Sequence, residues 1–279
     1  MLKNIVLTIV LALILLLTYG FLIEPSRVVV KEVVIPAPRL AEFFGDATVV
    51  HLSDFQSRGW GLREMQVVSL MTKLEPDYVF ITGDFAQASD SYEPVMRLLE
   101  QIPATEGIFG VLGNTDYNER RNVCVLCHED DLLTVREGPI RVLRNETIRL
   151  KRGGRELALV GLDRYDEAKG ASHAYDAIRN APYALPKIVL AHTPYYIEDV
   201  SRRGTDLYLA GDTHGGQVAL PRSTLAKLNP TKDMRYPRGL FEAEGIPLYV
   251  SSGIGWNEVP VRIGVRPEIV VLKFREEGS

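Results

Sequence analysis

The chain has 279 residues, 32 basic against 36 acidic side chains, a formal charge of −4 and 46% hydrophobic residues. That apolar content can build one large domain or two small ones, and the slight acidic excess speaks against a nucleic-acid partner. Two cysteines rule out a fold built on a disulfide framework.

The first element is IVLTIVLALILLLTYGFLI, Ile5 to Ile23, which carries no charged residue. As a helix, about 19 residues at roughly 1.5 Å each reach the thickness of a bilayer's hydrocarbon core. The run is long for a signal-peptide core, and Thr18-Tyr19-Gly20 is a poor cleavage site. A single-pass membrane anchor over residues 1–25 is therefore expected. Lys3 favours a cytoplasmic N-terminus, whereas Arg27, Lys31 and Arg39 oppose it. The short leading tail tips the expectation toward an extracytoplasmic domain.

Residues 26–46 contain VVVKEVVIPAP, which alternates and then breaks at Pro36 and Pro38, and they read as a linker or tether strand. The domain proper is expected over 47–279. ATVVHLS is a short buried strand. LREMQVVSLMTKLEP places Leu62, Met65, Val68, Leu70, Met71 and Leu74 at helical spacing and stops at Pro76. DYVFITGD is a second strand, YEPVMRLLEQI a helix and GIFGVLGN a third strand. This βαβαβ order predicts parallel pairing with helices on the faces, an α/β fold. RELALVGLD, KIVLAHTP, a helix near Tyr196 to Arg203 and DLYLAGD follow, and both PLYVSSGIG and VPVRIGVRPEIVVLKF read as strand throughout.

Several of these strands run into residues able to bind metal: Asp54 and Gln56, Asp84, Asn114 and Asp116, His192, then Asp212 and His214. In parallel sheets the carboxyl ends of the strands line the ligand crevice. One such Asp is usually a cap or a turn residue. Five strand ends carrying Asp, Asn or His, three of them after Gly, point to a metal site.

The order Asp-x-Gln, Gly-Asp, Gly-Asn-x-Asp, Ala-His, Gly-x-x-His-Gly-Gly resembles the calcineurin-like metallophosphoesterases. GDTHGGQVALP and the ending YVSSGIGWNEVPVRIGVRPEIVVLKF resemble the membrane-anchored bacterial branch of that family. The resemblance implies a four-layer α-β-β-α sandwich with two mixed sheets, preceded here by one N-terminal transmembrane helix. It also implies two divalent cations that orient a phosphate and stabilise in-line displacement. Carried over by position, Asp54, Gln56, Asp84 and His214 would hold one cation; Asp84, Asn114, His192 and Asp212 would hold the other. The implied activity is hydrolysis of a phosphodiester, pyrophosphate or phosphomonoester, small or lipid-linked, at a membrane.

The family pattern has histidine where this chain has Gln56, Thr115 and Asp212. Exchanging two imidazoles for oxygen donors hardens the shell toward Mg²⁺, Mn²⁺ or Ca²⁺, with Fe also ahead of Zn²⁺. Thr115 cannot act as the general acid that the family histidine supplies. Either the leaving group is already good, another residue such as Asp116 or His128 donates the proton, or the protein is a weak enzyme acting as an anchored binding module. With Asp84 and Asn114, Thr115 and Asp116 make up the expected catalytic set.

CVLCH, Cys124 to His128, matches the c-type haem signature through Cys124, Cys127 and His128. A disulfide or free thiol pair comes first, a small zinc site second and a haem-binding variant third. Bland readings suffice for His51 (packed in its strand), His173 (exposed), Arg58 (a solvated loop residue), and Tyr195, Tyr196, Tyr236 and Trp256 (packing or rim).

Overall fold

The charge-free N-terminus forms helix α1 (Leu2–Thr18), which continues through a wider π-helical turn, Tyr19–Ile23, and a 3₁₀ turn, Glu24–Ser26. Among the described residues, Leu2–Ser26 is the one helix long and apolar enough to cross a membrane, and almost none of it is buried. The computed structural model describes residues 1–87, 92–118, 123–128, 134–163 and 172–276.

Residues 26–46, expected as a linker or tether strand, hold β1 (Val29–Pro36) and the short helix α2 (Pro38–Phe44). The βαβαβ unit follows as β2 (Val49–Leu52), α3 (Leu62–Leu74), β3 (Tyr78–Thr82), α4 (Tyr92–Leu99) and β4 (Gly107–Val111). Its three strands pair in parallel as the connections require. A two-residue ladder joins β5 (Tyr117–Asn118) to β6 (Val123–Cys124). Next come β7 (Ile140–Val142) and the hairpin β8 (Glu146–Arg152) and β9 (Arg155–Leu162), turned at Gly153-Gly154.

The second half alternates α5 (Ser172–Asn180), β10 (Lys187–Ala191), α6 (Ile197–Ser201), β11 (Leu207–Ala210) and α7 (Arg222–Leu228). It closes with β12 (Gly239–Ala243), β13 (Ile246–Val250) and β14 (Glu268–Arg275).

Two mixed six-stranded sheets result, ordered β1-β14-β2-β3-β4-β7 and β12-β13-β11-β10-β9-β8. β1 runs parallel to β14 in continuous register from Val29 opposite Glu268 to Pro36 opposite Arg275, so it is an edge strand of the first sheet. Alternation sorts the layers. Val49, Phe80, Leu159, Leu190, Leu209 and Tyr249 fill the space between the sheets, joined by Leu40 and Phe44 of α2. Val50, Leu52, Val79 and Ile81 face outward beneath Val67 and Met71 of α3 and Val95 and Leu98 of α4. On the far face Val160, Val189 and Tyr208 meet Ala174, Ile178, Ile197 and Val200. This is the α-β-β-α sandwich that the resemblance implied.

Strand pattern misleads in one place. VPVRIGVRP is a loop, and only Glu268 onward forms strand. Pro260 and Pro267 offer no N–H to a ladder. Between them the fully buried Arg262 donates to the carbonyls of Ser252 (2.8 Å), Gly255 (3.0 Å from Nε) and Val265 (3.2 Å). Burial lowers its pKa to about 10. Nothing in the local sequence distinguishes this arginine from a solvated one.

Candidate metal centre

β2, β3, β4, β10 and β11 deliver the expected residues to one edge of the two sheets. The backbone there is strained. Among the described residues nine non-glycine positions have positive φ, and Asp54, Gln56, Asp84, Asp212 and His214 are five of them. Such conformations cost of order 1 kcal/mol or more each and collect where surrounding structure holds a site in place. Gly83, at φ +86°, makes the turn into Asp84. The other two glycines that precede an expected ligand serve a different need. A Cβ at Gly113 would sit 2.2 Å from Asp84 Oδ1, and one at Gly211 would sit 2.0 Å from Ser53 Oγ and 2.4 Å from Asp54 Oδ2.

His192 donates from Nδ1 to the Thr82 carbonyl (2.7 Å), which turns Nε2 toward the cluster. Nε2 then faces oxygens only: Asn114 Oδ1 at 3.2 Å, Asp84 Oδ1 at 3.4 Å and Asp212 Oδ1 at 3.5 Å. On the neighbouring side Asp54, Asp84 and His214 are fully buried with ligand atoms all within 4.8 Å of one another. His214 Nε2 lies 3.6 Å from Asp54 Oδ1, and neither of its ring nitrogens has a hydrogen-bond partner. Gln56 donates from Nε2 to Asp84 Oδ2 (3.0 Å), and its Oε1 is likewise orphaned in the interior. A half-turn of that amide exchanges the two atoms.

Buried oxygens crowded together are costly unless positive charge lies among them, and without a cation the proton on His192 Nε2 supplies it. The ionisation pattern says the same. Burial, with Asp84 and Asp212 adding, pushes Asp54 up to about 7 against the pull of His192. Burial opposes a charge on His192, yet Asp84 and Asp212 outweigh it and hold the imidazole well above its usual range. Burial, Arg262 and Lys232 hold His214 well below it. All seven expected ligand residues meet here, and their donor set fits divalent cations.

The remaining expected residues separate. Asp116 takes backbone N–H bonds from Asp84 (2.8 Å), Phe85 (2.7 Å), Ala86 (3.3 Å) and Gly113 (2.8 Å), so its carboxylate fastens the ligand loops together. Thr115 donates its N–H to Asp84 Oδ1 (2.9 Å) and its hydroxyl to the Ala86 carbonyl (2.8 Å). His128 is exposed and is not among the residues that line the cleft above the cluster. Cys124 and Cys127 are bonded to each other and buried under the helical layer, which removes the thiols that a haem attachment or a zinc site would need. His51 is packed, its Nε2 2.9 Å from Thr82 Oγ1, and Tyr196 is buried, while His173 and Tyr195 are exposed.

Above the cluster opens a cleft of about 710 Å³, floored by Asp84, Asn114 and Asp212 and walled by Tyr195, Lys232 and Arg235. Lys232 gave no signal in the sequence. Its ammonium donates to Asp212 Oδ1 (2.8 Å) and to the Asp212 carbonyl.

A family model for calcineurin-like phosphoesterases matches residues 47–216. The chain belongs to that family. The chain is 27% identical to the uncharacterized metallophosphoesterase YkoQ of Bacillus subtilis, covering 79% of this chain and 81% of that protein. It is 27% identical to YkuE, another uncharacterized metallophosphoesterase of the same organism, covering 92% and 89% of the two chains. A transmembrane protein with metallophosphoesterase domain from Danio rerio is 30% identical over 90% of this chain and 58% of its own. The chain has a candidate membrane-crossing helix and a buried Asp-Asp-His group able to hold metal.

Proposed function

We propose that the protein is a membrane-anchored hydrolase of phosphate esters that depends on two divalent cations. The observation that carries this is the cluster itself. His192 Nε2 faces three oxygens within 3.5 Å, beside orphaned acceptors on Gln56 and His214. Asp54, Gln56, Asp84 and His214 would hold one cation, and Asp84, Asn114, His192 and Asp212 the other. Bound there, such a pair polarises a phosphoryl oxygen and lowers the pKa of water. The oxygen-rich shell favours Mn²⁺, Mg²⁺ or Fe over Zn²⁺.

The chain's own groups orient the substrate. Asn114 and Asp212 floor the cleft, and Lys232 sets a fixed positive charge at the edge where phosphate oxygens would lie. Thr115 spends its hydroxyl on Ala86, so no proton donor stands where the family has histidine. That favours a leaving group stable as an anion, in a pyrophosphate or an acidic phosphodiester. The anchor makes a lipid-linked phosphate the preferred substrate class. The buried disulfide supports placing the domain on the oxidising, extracytoplasmic side.

The test is hydrolysis of bis(p-nitrophenyl) phosphate by metal-loaded protein. Turnover should require Mn²⁺ or Mg²⁺ and fall at least a hundredfold in Asp84→Asn, with loss of bound metal by elemental analysis. Turnover indifferent to chelator would sink the mechanism. Bound metal without turnover on any phosphate ester would leave an anchored binding module.

A further inference from the structure

A second cavity, of about 450 Å³, opens at the foot of the N-terminal helix. Phe21 and Pro25 of the helix end, Arg58, Trp60, Arg63 and Trp256 line it. Trp60 and Trp256 are the only tryptophans in the chain. Interfacial tryptophan beside basic residues is the signature of the headgroup level of a bilayer. Beside it Leu62 is 81% exposed, a large apolar side chain held out next to the membrane-crossing helix.

Arg63 supplies the independent sign of a ligand. It is only 7% exposed, and its guanidinium lies 4.3 Å from the centre of a Trp256 ring. Nε and Nη2 both donate to Glu64 Oε1 (3.2 and 2.7 Å), while Nη1 is buried without a hydrogen-bond partner. Glu64 is otherwise engaged, its Oε2 accepting from the Gly61 N–H at 3.1 Å. An unanswered guanidinium N–H in an aromatic cavity calls for an anionic oxygen acceptor.

The cavity also keeps a fixed place relative to the helix. The Arg262 N–H donates to the Gly20 carbonyl (2.9 Å), and the Gly264 N–H donates to Glu24 Oε2 (2.9 Å). A Cβ at Gly20 would come within 2.7 Å of Ile263, so helix and loop touch backbone to side chain. Trp256 lines this cavity, while the next residues, Asn257 and Glu258, line the catalytic cleft.

We infer that the cavity seats the headgroup phosphate of an anionic phospholipid of the bilayer. Arg63 Nη1 and Arg58 donate to the phosphate, while Trp60, Leu62 and Phe21 lie among the upper acyl carbons. Seating one lipid there would turn the cleft beside it toward the membrane surface. The inference rests on the anchored reading above, not on the choice of substrate.

The experiment uses the full chain reconstituted in phosphatidylcholine vesicles doped with a trace of spin-labelled lipid. Because the only tryptophans lie at the cavity, their fluorescence reports its occupant. Phosphatidylglycerol labelled high on its acyl chain should quench at least twofold more than phosphatidylcholine labelled alike. Arg63→Gln and, should that variant fail to fold, Arg58→Gln should abolish the preference. Vesicle flotation separates the two readings. Protein that floats but is quenched equally by both lipids overturns the seat and leaves the anchor standing; protein that does not float overturns both. A matching fluorescence change on adding inorganic phosphate to protein in detergent would assign the cavity to a soluble anion and overturn the bilayer seat.

Discussion

Thr115 and Asp116 are adjacent, yet each is bound in a way that keeps it from giving up a proton. The Thr115 hydroxyl is held by Ala86, and both Asp116 oxygens are occupied by the backbone N–H groups of Asp84, Phe85, Ala86 and Gly113. Replacing Thr115 with histidine should restore leaving-group protonation, which contributes typically about 10²–10⁴-fold. Thr115→His is therefore expected to speed alkyl phosphate esters at least tenfold while barely changing p-nitrophenyl esters; a uniform effect across leaving groups would contradict the assignment. His51 makes a separate prediction. Burial lowers its pKa from 6.5 to about 3. The unfolded chain therefore binds a proton there that the folded chain refuses, so stability is lost as pH falls from 6.5 toward 3. The slope is about 1.4 kcal/mol per pH unit from this residue. Urea unfolding across that range should show it, and His51→Gln should flatten it.

Among the elements, the turn Cys124–Cys127 joins the ligand loop to the helical layer. Val125 donates its N–H to the Asp116 carbonyl (2.7 Å), and Val125 and Leu126 are buried with the disulfide. Closing so short a loop restrains the unfolded chain modestly, worth about 2 kcal/mol. Reduction should lower unfolding stability by that amount and leave metal content unchanged, because no ligand residue depends on either sulfur. Metal lost on reduction would show that the turn holds the site itself. The 259–267 loop makes a second structural joint, through Arg262 to the carbonyls before it and through its backbone to Gly20.

For the whole molecule, the candidate metal site lies at the seam of the fold. Its ligands leave five strands of two sheets, so cations there would tie the sheets together only when the chain is folded. Binding to the native state alone stabilises by about 2.7 kcal/mol at a hundredfold excess over Kd. Chelator should lower Tm by several degrees, and Mn²⁺ or Mg²⁺ should restore it more fully than Zn²⁺. An unchanged Tm would mean that no cation bridges the sheets.

The sequence by itself determined the βαβαβ core and the membrane-length helix, and it pointed to the seven polar residues that the fold gathers into one buried cluster. These follow from local signals: hydrophobic period, breakers, and a polar residue placed where an apolar strand stops. It left open how Cys124 and Cys127 pair, and it could not show that Asp116 fastens backbone rather than moving protons. Nor could it show that VPVRIGVRP is a loop wrapped on a buried arginine. Lys232, Arg262 and the empty Nη1 of Arg63 are invisible along the chain. Their meaning depends on which distant carbonyl, carboxylate or ring each one meets, and only tertiary packing decides that.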